Sequence, residues 1–228
     1  MSGPQVSVVV AFHDRVAYLA EAIRSVLAEA VTVPLDVVLV DDGSTDGSAE
    51  AARSFVPPAR YLRQPNQGCA SAWNAGLAAA SAEFVAFCDS DDVWVAGRLE
   101  RMLAPFVRDP STEVVFGRVD EFVSPELDPS HLSVRAPRTD TFAPLAGTML
   151  ARRAVFERVG LFDAGLVQGY WVDWYARMRD AELNTVVIPD VVLRRRLHRT
   201  NSSLERRDQM GEFARALHQK LTRRRSRS

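Results

Sequence analysis

The chain has 228 residues, 47% of them apolar and 25% charged, ordinary proportions for a soluble globular protein with one substantial core. A formal charge of −1 argues against a nucleic-acid binder that works by bulk electrostatics, and two cysteines, Cys69 and Cys88, are too few for a disulfide scaffold. No apolar run is long enough to span a membrane and no charged leader precedes an apolar segment at the N-terminus, so a cytoplasmic protein with reduced thiols is expected.

Residues 6–12 are a β-branched apolar run, the pattern of a buried strand. Val16, Leu19, Ala20, Ile23, Val26 and Leu27 then recur at helical spacing. A second buried strand is predicted over 35–40; it stops at Asp41-Asp42-Gly43-Ser44, and helix-compatible residues continue to Phe55. A short strand over 59–62 and an Ala-rich helix over about 69–80 follow, then a third apolar run, Phe84-Val85-Ala86-Phe87. This alternation predicts right-handed crossovers and a parallel sheet covered on both faces, whose ligands bind beyond the carboxyl ends of the strands. Three polar clusters fall at such ends: Phe12-His13-Asp14, Asp41-Asp42 and Cys88-Asp89-Ser90-Asp91-Asp92.

The last cluster is the most informative. Like charges crowded at a strand tip are unfavourable unless a cation neutralises them. Carboxylate oxygens select hard divalent ions such as Mg2+ or Mn2+, which share their coordination sphere with phosphate oxygens. A metal–diphosphate site is the leading reading. The plain alternative is a strand end followed by an Asp N-cap, with a helix beginning near Val93.

The second half is less regular. A strand is predicted over 113–121, a Pro-rich loop over 124–141, helices over 152–159 and 170–181, and strands over 185–189 and 191–197. Met210, Phe213, Leu217 and Leu221 share one helical face, which predicts a terminal helix. The Arg-rich end beyond it reads as a solubilising tail, with weak peripheral contact to an anionic membrane as the lesser alternative. Neither a G-x-x-x-x-G-K-[ST] loop nor a G-x-G-x-x-G run is present. Residues 42–47 imitate the start of an EF-hand loop, but Arg53 stands where calcium needs a Glu. No repeat and no linker divides the chain, so one domain is expected.

The ordered set of Val6-Ser7-Val8-Val9-Val10, Val40-Asp41-Asp42-Gly43-Ser44-Thr45-Asp46, Asn66-Gln67-Gly68, Asn74-Ala75-Gly76 and Asp89-Ser90-Asp91-Asp92 resembles family 2 glycosyltransferases. The resemblance continues through residues 147–153 and 159–163 to Arg196-Leu197-His198-Arg199-Thr200-Asn201. It implies an α/β, GT-A-type fold: a Rossmann-like, mostly parallel central sheet with helices on both faces and a smaller mixed sheet on the acceptor side. The nucleotide-binding half would cover 1–110, the acceptor-binding half 111–203, and the terminal helix and basic tail 204–228. The implied activity is metal-dependent, inverting transfer of a single sugar from a nucleotide-diphosphate sugar to an unknown acceptor.

The same resemblance implies residue roles. Ala11 and His13 would line the nucleobase pocket, with Asp42 and Asp41 hydrogen-bonding the base; the family usually has Pro-Thr-Tyr-Asn where this chain has Ala11-Phe12-His13-Asp14. Asp89-Ser90-Asp91 falls on the family's DxD motif, with Asp91 as metal ligand and Asp89 meeting the ribose or the metal. His198 would reach the metal or the diphosphate, and one of Arg194 to Arg196 the phosphates. Asp173, flanked by aromatics, is the candidate general base; the alternative is a helix-surface acid paired with Arg177 at i+4. Trp73 replaces the family's usual Arg before Asn74 and reads as core packing. Two competing functions remain: a sugar-1-phosphate nucleotidyltransferase, which would need a Gly-rich basic loop after the first strand, and a catalytically silent nucleotide-sugar binder.

Overall fold

The computed structural model describes residues 3–126 and 137–198. Four parallel strands form its first half: β1 (Val6–Phe12), β2 (Leu35–Asp41), β3 (Arg60–Arg63) and β4 (Phe84–Asp89). β1 lies between β2 and β4, with Ala11 beside both Val40 and Asp89 and Phe12 beside Asp41. That register brings the three carboxyl ends level, as the sequence predicts.

Successive strand residues face opposite sides, so a strand buried on both faces feeds two cores. Val8, Val10 and Leu39 pack with Leu19 and Ile23 of helix α1 (Val16–Leu27). Val9, Val38 and Val40 pack with Trp73 and Leu77 of helix α3 (Cys69–Ala79). A Cβ on Gly76 would lie 2.3 Å from Val9 Cγ1, so α3 rests on β1 only because that position is glycine. Helix α2 is shorter than the expected run to Phe55, covering Ser48–Arg53.

After the acids the chain departs from expectation. Val93–Trp94 form a short strand, β5, paired with a strand from the C-terminal half, and helix α4 begins only at Arg98, running to Arg108. Its N-terminus is capped from a distance: buried Glu29 accepts from Gly97 N at 2.7 Å and Leu99 N at 2.8 Å. The remaining elements are β6 (Val114–Val123), β7 (Met149–Arg152), α5 (Ala154–Val159), α6 (Tyr170–Asp180) and β8 (Thr185–Leu197).

Sheet order is β3-β2-β1-β4-β7-β6-β8-β5. β7 runs antiparallel to both β4 and β6, so the mixed strands expected as a separate small sheet continue the central one. The two strands expected over 185–197 are one, whose pairing with β6 slips between Phe116 and Val119, opposite the stretch holding Pro189. Proline has no N–H for the ladder, so the register must break there. The predicted helix holding Met210 to Leu221, the basic tail and residues 127–136 of the predicted loop lie outside the described residues. Among the described residues no helix is long and apolar enough to cross a membrane.

Candidate active site

The level tips of β1, β2 and β4 form one wall of a cavity of about 840 Å³, a size that suits a small-molecule ligand. Ala11, His13, Asp42, Asp89, Ser90 and Asp91 line that wall. Leu145, Ala146 and the start of α6, including Gly169, Tyr170 and Trp171, line the other side. Six residues expected at a nucleotide or metal site therefore share one cavity. Asp41, His198 and Asp173 are not among its lining residues.

At the β1–β2 end, two loops fix one another. Asp14, in the left-handed region at φ 49°, accepts from Thr45 N at 2.7 Å. In return Ser44 Oγ accepts from Asp14 N at 3.1 Å, Ser48 Oγ from Arg15 N at 2.8 Å and Asp46 Oδ2 from Val16 N at 3.0 Å. The Asp-Gly-Ser-Thr-Asp-Gly-Ser run thus caps helix α1 from outside, so Asp14 is not its N-cap. Gly43, at φ +80°, admits no side chain, because a Cβ would meet Asn66 N at 2.8 Å. Asn66 Nδ2 sits 3.0 Å from His13 Nε2. Asp42 draws this third loop in, accepting from Gln64 Nε2 at 2.7 Å, Gln67 N at 2.9 Å and Gly68 N at 2.8 Å.

Asp41 lies beneath that surface, fully buried. It accepts from Tyr61 Oη at 2.5 Å and Ser44 N at 2.7 Å, with Arg63 at 3.5 Å. Burial alone would raise its pKa, but the donors of Tyr61 and Ser44 outweigh that and hold it below the usual carboxylate range. In place of the base expected for it, Asp41 holds the turn after β2 and the Tyr61 hydroxyl of β3.

The acid loop is different in kind. Burial and the Asp91 charge push Asp89 up to about 7. Burial and the charges of Asp91 and Asp89 push Asp92 well above its usual value. Burial acts on Asp91 too, but the hydrogen bond with His198 wins and lowers it. His198 is wholly buried with Nε2 2.8 Å from Asp91 Oδ2, so it stands behind Asp91 instead of at the cavity wall. Asp92 caps no helix: its Oδ1 accepts from Arg196 N at 2.9 Å. Buried Arg196 also donates from Nε to Asp91 O at 3.0 Å and pairs with Glu21, fastening the acid loop to β8. Arg195 is the member of the basic cluster that lines the cavity. No three Asp, Glu, His or Cys side chains among the described residues converge on a common metal point.

Asp173 sits in the first turn of α6, where its Oδ2 accepts from Arg177 Nε at 2.9 Å. The same guanidinium donates to Val159 O at 2.7 Å and Leu161 O at 2.8 Å. The surface-pair alternative therefore describes its present contact, and its physical reason is that Arg177 closes the 159–161 turn. Asn74 secures the next residue, donating to Phe162 O at 2.8 Å and accepting from Phe162 N at 3.0 Å. Sequence reasoning gave none of these three structural roles to Asn74, Arg177 or Arg196, because each depends on partners more than 15 residues away. Trp73 is core packing as expected, 2% exposed against Phe87, Phe162 and Tyr170, yet it also lines the cavity.

A curled α/β sheet whose acidic tips meet in one cavity is the GT-A architecture. The sequence model of glycosyl transferase family 2 matches residues 7–160, and the chain belongs to that family. An uncharacterized glycosyltransferase of Nostoc sp. is 41% identical over 106 residues, 45% of this chain and 33% of the relative. Another, from Rickettsia prowazekii, is 23% identical over 223 residues, 92% of this chain and 69% of the relative. Among solved structures, S. aureus TarS residues 1–349 matches with a TM-score of 0.66 at 23% identity, covering 84% of this chain and 60% of that one. The same protein in complex with UDP-GlcNAc gives 0.65 at 21% identity, over 86% and 60%. The chain thus spans a third of the Nostoc relative and three fifths of the TarS chain, and likeness at this identity speaks to the fold.

Proposed function

We propose that the chain transfers a single sugar from a nucleoside-diphosphate donor to an acceptor, with inversion and with Mn2+ or Mg2+ as cofactor. One observation carries this reading: Ala11, His13, Asp42, Asp89, Ser90 and Asp91, from three separate strands, line one cavity of donor size. Family membership and the UDP-GlcNAc complex of TarS support a nucleotide sugar as the donor class.

In this reading Ala11, His13 and Asp42 hold the nucleoside, and Asp89 and Ser90 its ribose. The crowded carboxylates fit a divalent cation, since burial and the neighbouring acid charges raise Asp89 and Asp92, and a cation beside them would favour their charged forms. With no three ligands converging among the described residues, Asp91 and Asp89 would supply one or two ligands and the diphosphate and water the rest, the arrangement Mg2+ commonly takes. A cation held by Asp91 and Asp89 would supply positive charge against that growing on the departing diphosphate. His198 orients Asp91, although a direct ligand role was the first expectation for it. Arg195 is within reach of the phosphates from the cavity wall.

Asp173 is the candidate base for the acceptor's proton. It is 20% exposed and follows Trp171 and Val172, which line the cavity; acting as base would require it to leave Arg177. The test is calorimetry with uridine, guanosine, thymidine, adenosine and cytidine diphosphates, with and without Mn2+. Manganese-assisted binding of one of them is expected; no uptake of any would defeat the proposal.

The Asp173–Arg177 pair also motivates a second reading, a nucleotide-sugar binder without turnover. Asp173→Asn should keep donor binding and stability within about 0.5 kcal/mol, since partly exposed i,i+4 pairs are weak, and should abolish donor hydrolysis and transfer. Unchanged turnover would remove the base assignment. Absence of turnover in the native chain, with binding intact, would favour the binder.

A further inference from the structure

Trp73 has a side chain 2% exposed and an indole Nε1 with no hydrogen-bond partner. A buried indole N–H ordinarily finds an acceptor, and a group left without one is costly unless something absent from the free protein completes it. The ring lines the cavity and meets Tyr170 edge-on, with centroids 5.3 Å apart and planes at 90°. By contrast, the two other indoles of this face are satisfied within the protein: Trp171 donates to Pro144 O at 2.6 Å and Trp174 to Gly160 O at 2.9 Å.

Tyr170 opens helix α6, and its N-cap, Gly169 at φ 78°, has no side chain to cap with. The first helical bond is made by Asp173 N to Gly169 O at 2.8 Å, which leaves the N–H groups of Tyr170, Trp171 and Val172 ahead of it. Gly169, Tyr170, Trp171 and Val172 all line the cavity. Two unrelated elements, α3 and α6, therefore bring residues with unpaired donors to the wall of the same cavity. An anion is a poor guest there, because Asp89 and Asp91 line the same cavity. A neutral oxygen beside apolar walls such as Ala72 and Val172 suits both the donors and the charge.

We propose that the Trp73 indole N–H and the uncapped first turn of α6 together hold a neutral oxygen of the donor's sugar, a hydroxyl or an N-acyl carbonyl, an assignment that rests on the nucleotide-sugar reading above. Trp73 is then a sugar-binding residue as well as a core residue.

Calorimetry on the full chain with Mn2+ compares UDP, UDP-glucose and UDP-N-acetylglucosamine in the native protein and in Trp73→Phe; should the native chain take another base, its diphosphate and sugars replace these. The phenyl ring keeps the packing and removes the donor. Trp73→Phe should leave UDP affinity unchanged and weaken the nucleotide sugars about five-fold, the size of one hydrogen bond. Equal loss for both sugars identifies a hydroxyl; loss confined to the N-acetyl sugar identifies the carbonyl. An unchanged ratio of sugar to nucleotide affinity overturns the proposal, as does an equal loss for UDP itself. If no nucleoside diphosphate binds the native chain, the donor reading fails and this assignment falls with it. Should Trp73→Phe not fold, 15N spectra of the native chain give the answer: of four indole N–H signals, one should move downfield with nucleotide sugar and stay in place with UDP. No such shift also overturns it.

Discussion

The amino end of β2 and the carboxyl end of β4 treat the same residue type in opposite ways. At the amino end, Asp36 of β2 accepts from Ser7 Oγ at 2.9 Å, Ser81 Oγ at 2.9 Å, and Arg60 Nε and Nη2 at 2.8 Å each. Burial raises its pKa, yet these donors overcome that and hold it below the usual range. At the carboxyl end Asp89 and Asp92 have too few such donors and rise instead. Burial raises the acids at both ends; the donors around Asp36 overcome it, whereas around Asp89 and Asp92 the neighbouring acid charges add to it. The amino end is saturated by the protein; the carboxyl end keeps its electrostatic need for a ligand. A pole that holds its acids charged and satisfied supports the fold, whereas one that leaves them crowded suits the cation and diphosphate proposed above.

Substitutions should separate the two ends cleanly. The largest effect is expected at the carboxyl end: Asp89→Asn should weaken Mn2+-assisted nucleotide binding roughly 100-fold, about 2.7 kcal/mol, while the melting temperature holds or rises because a crowded, raised carboxylate is replaced by a neutral amide. Calorimetry and thermal denaturation together check this, and a destabilised variant with intact binding would reverse the comparison. Next comes the amino end. Asp36→Ala strands Arg60, Ser7 and Ser81 and should lower stability by about 2 kcal/mol, read from denaturant midpoints, without changing nucleotide affinity.

The comparison also predicts a pair of opposite pH slopes in metal-free protein. Asp36 has a folded pKa below its ordinary value of 3.8, so its stabilisation is present above that value and is lost as pH falls. Asp89 rises from 3.8 to about 7, so the folded state binds the extra proton and stability declines as pH climbs through that window. Asp89→Asn should flatten the second slope and leave the first. If Asp89→Asn leaves the decline between pH 4 and 7 as steep as before, the crowding argument fails.

The strand tips were legible because their signals are local. An apolar run ending at Asp41 or Asp89 reads directly from neighbouring residues, and burial on both faces forbids polar interruption. Helix α4 was not legible in position: its cap is Glu29, about 70 residues upstream, and no Ser, Thr or Asp marks its start. Strand β7 was missed because four residues exist as a strand only between β4 and β6. Of the candidate site residues, those at strand tips other than Asp41 met at the cavity, while Asp41, Asp173 and His198 were claimed by partners chosen in three dimensions, Tyr61, Arg177 and Asp91.

By itself, then, the sequence determined the alternating strands and helices, the parallel sheet, and the acids at its carboxyl ends, since hydrophobic period and strand-end chemistry are written in adjacent residues. Only the tertiary structure decided which acids stay crowded, which are satisfied, and that the indole N–H of Trp73 is left without an acceptor at the cavity. Charge compensation and hydrogen-bond partnership depend on which distant groups the packing brings within 3 Å.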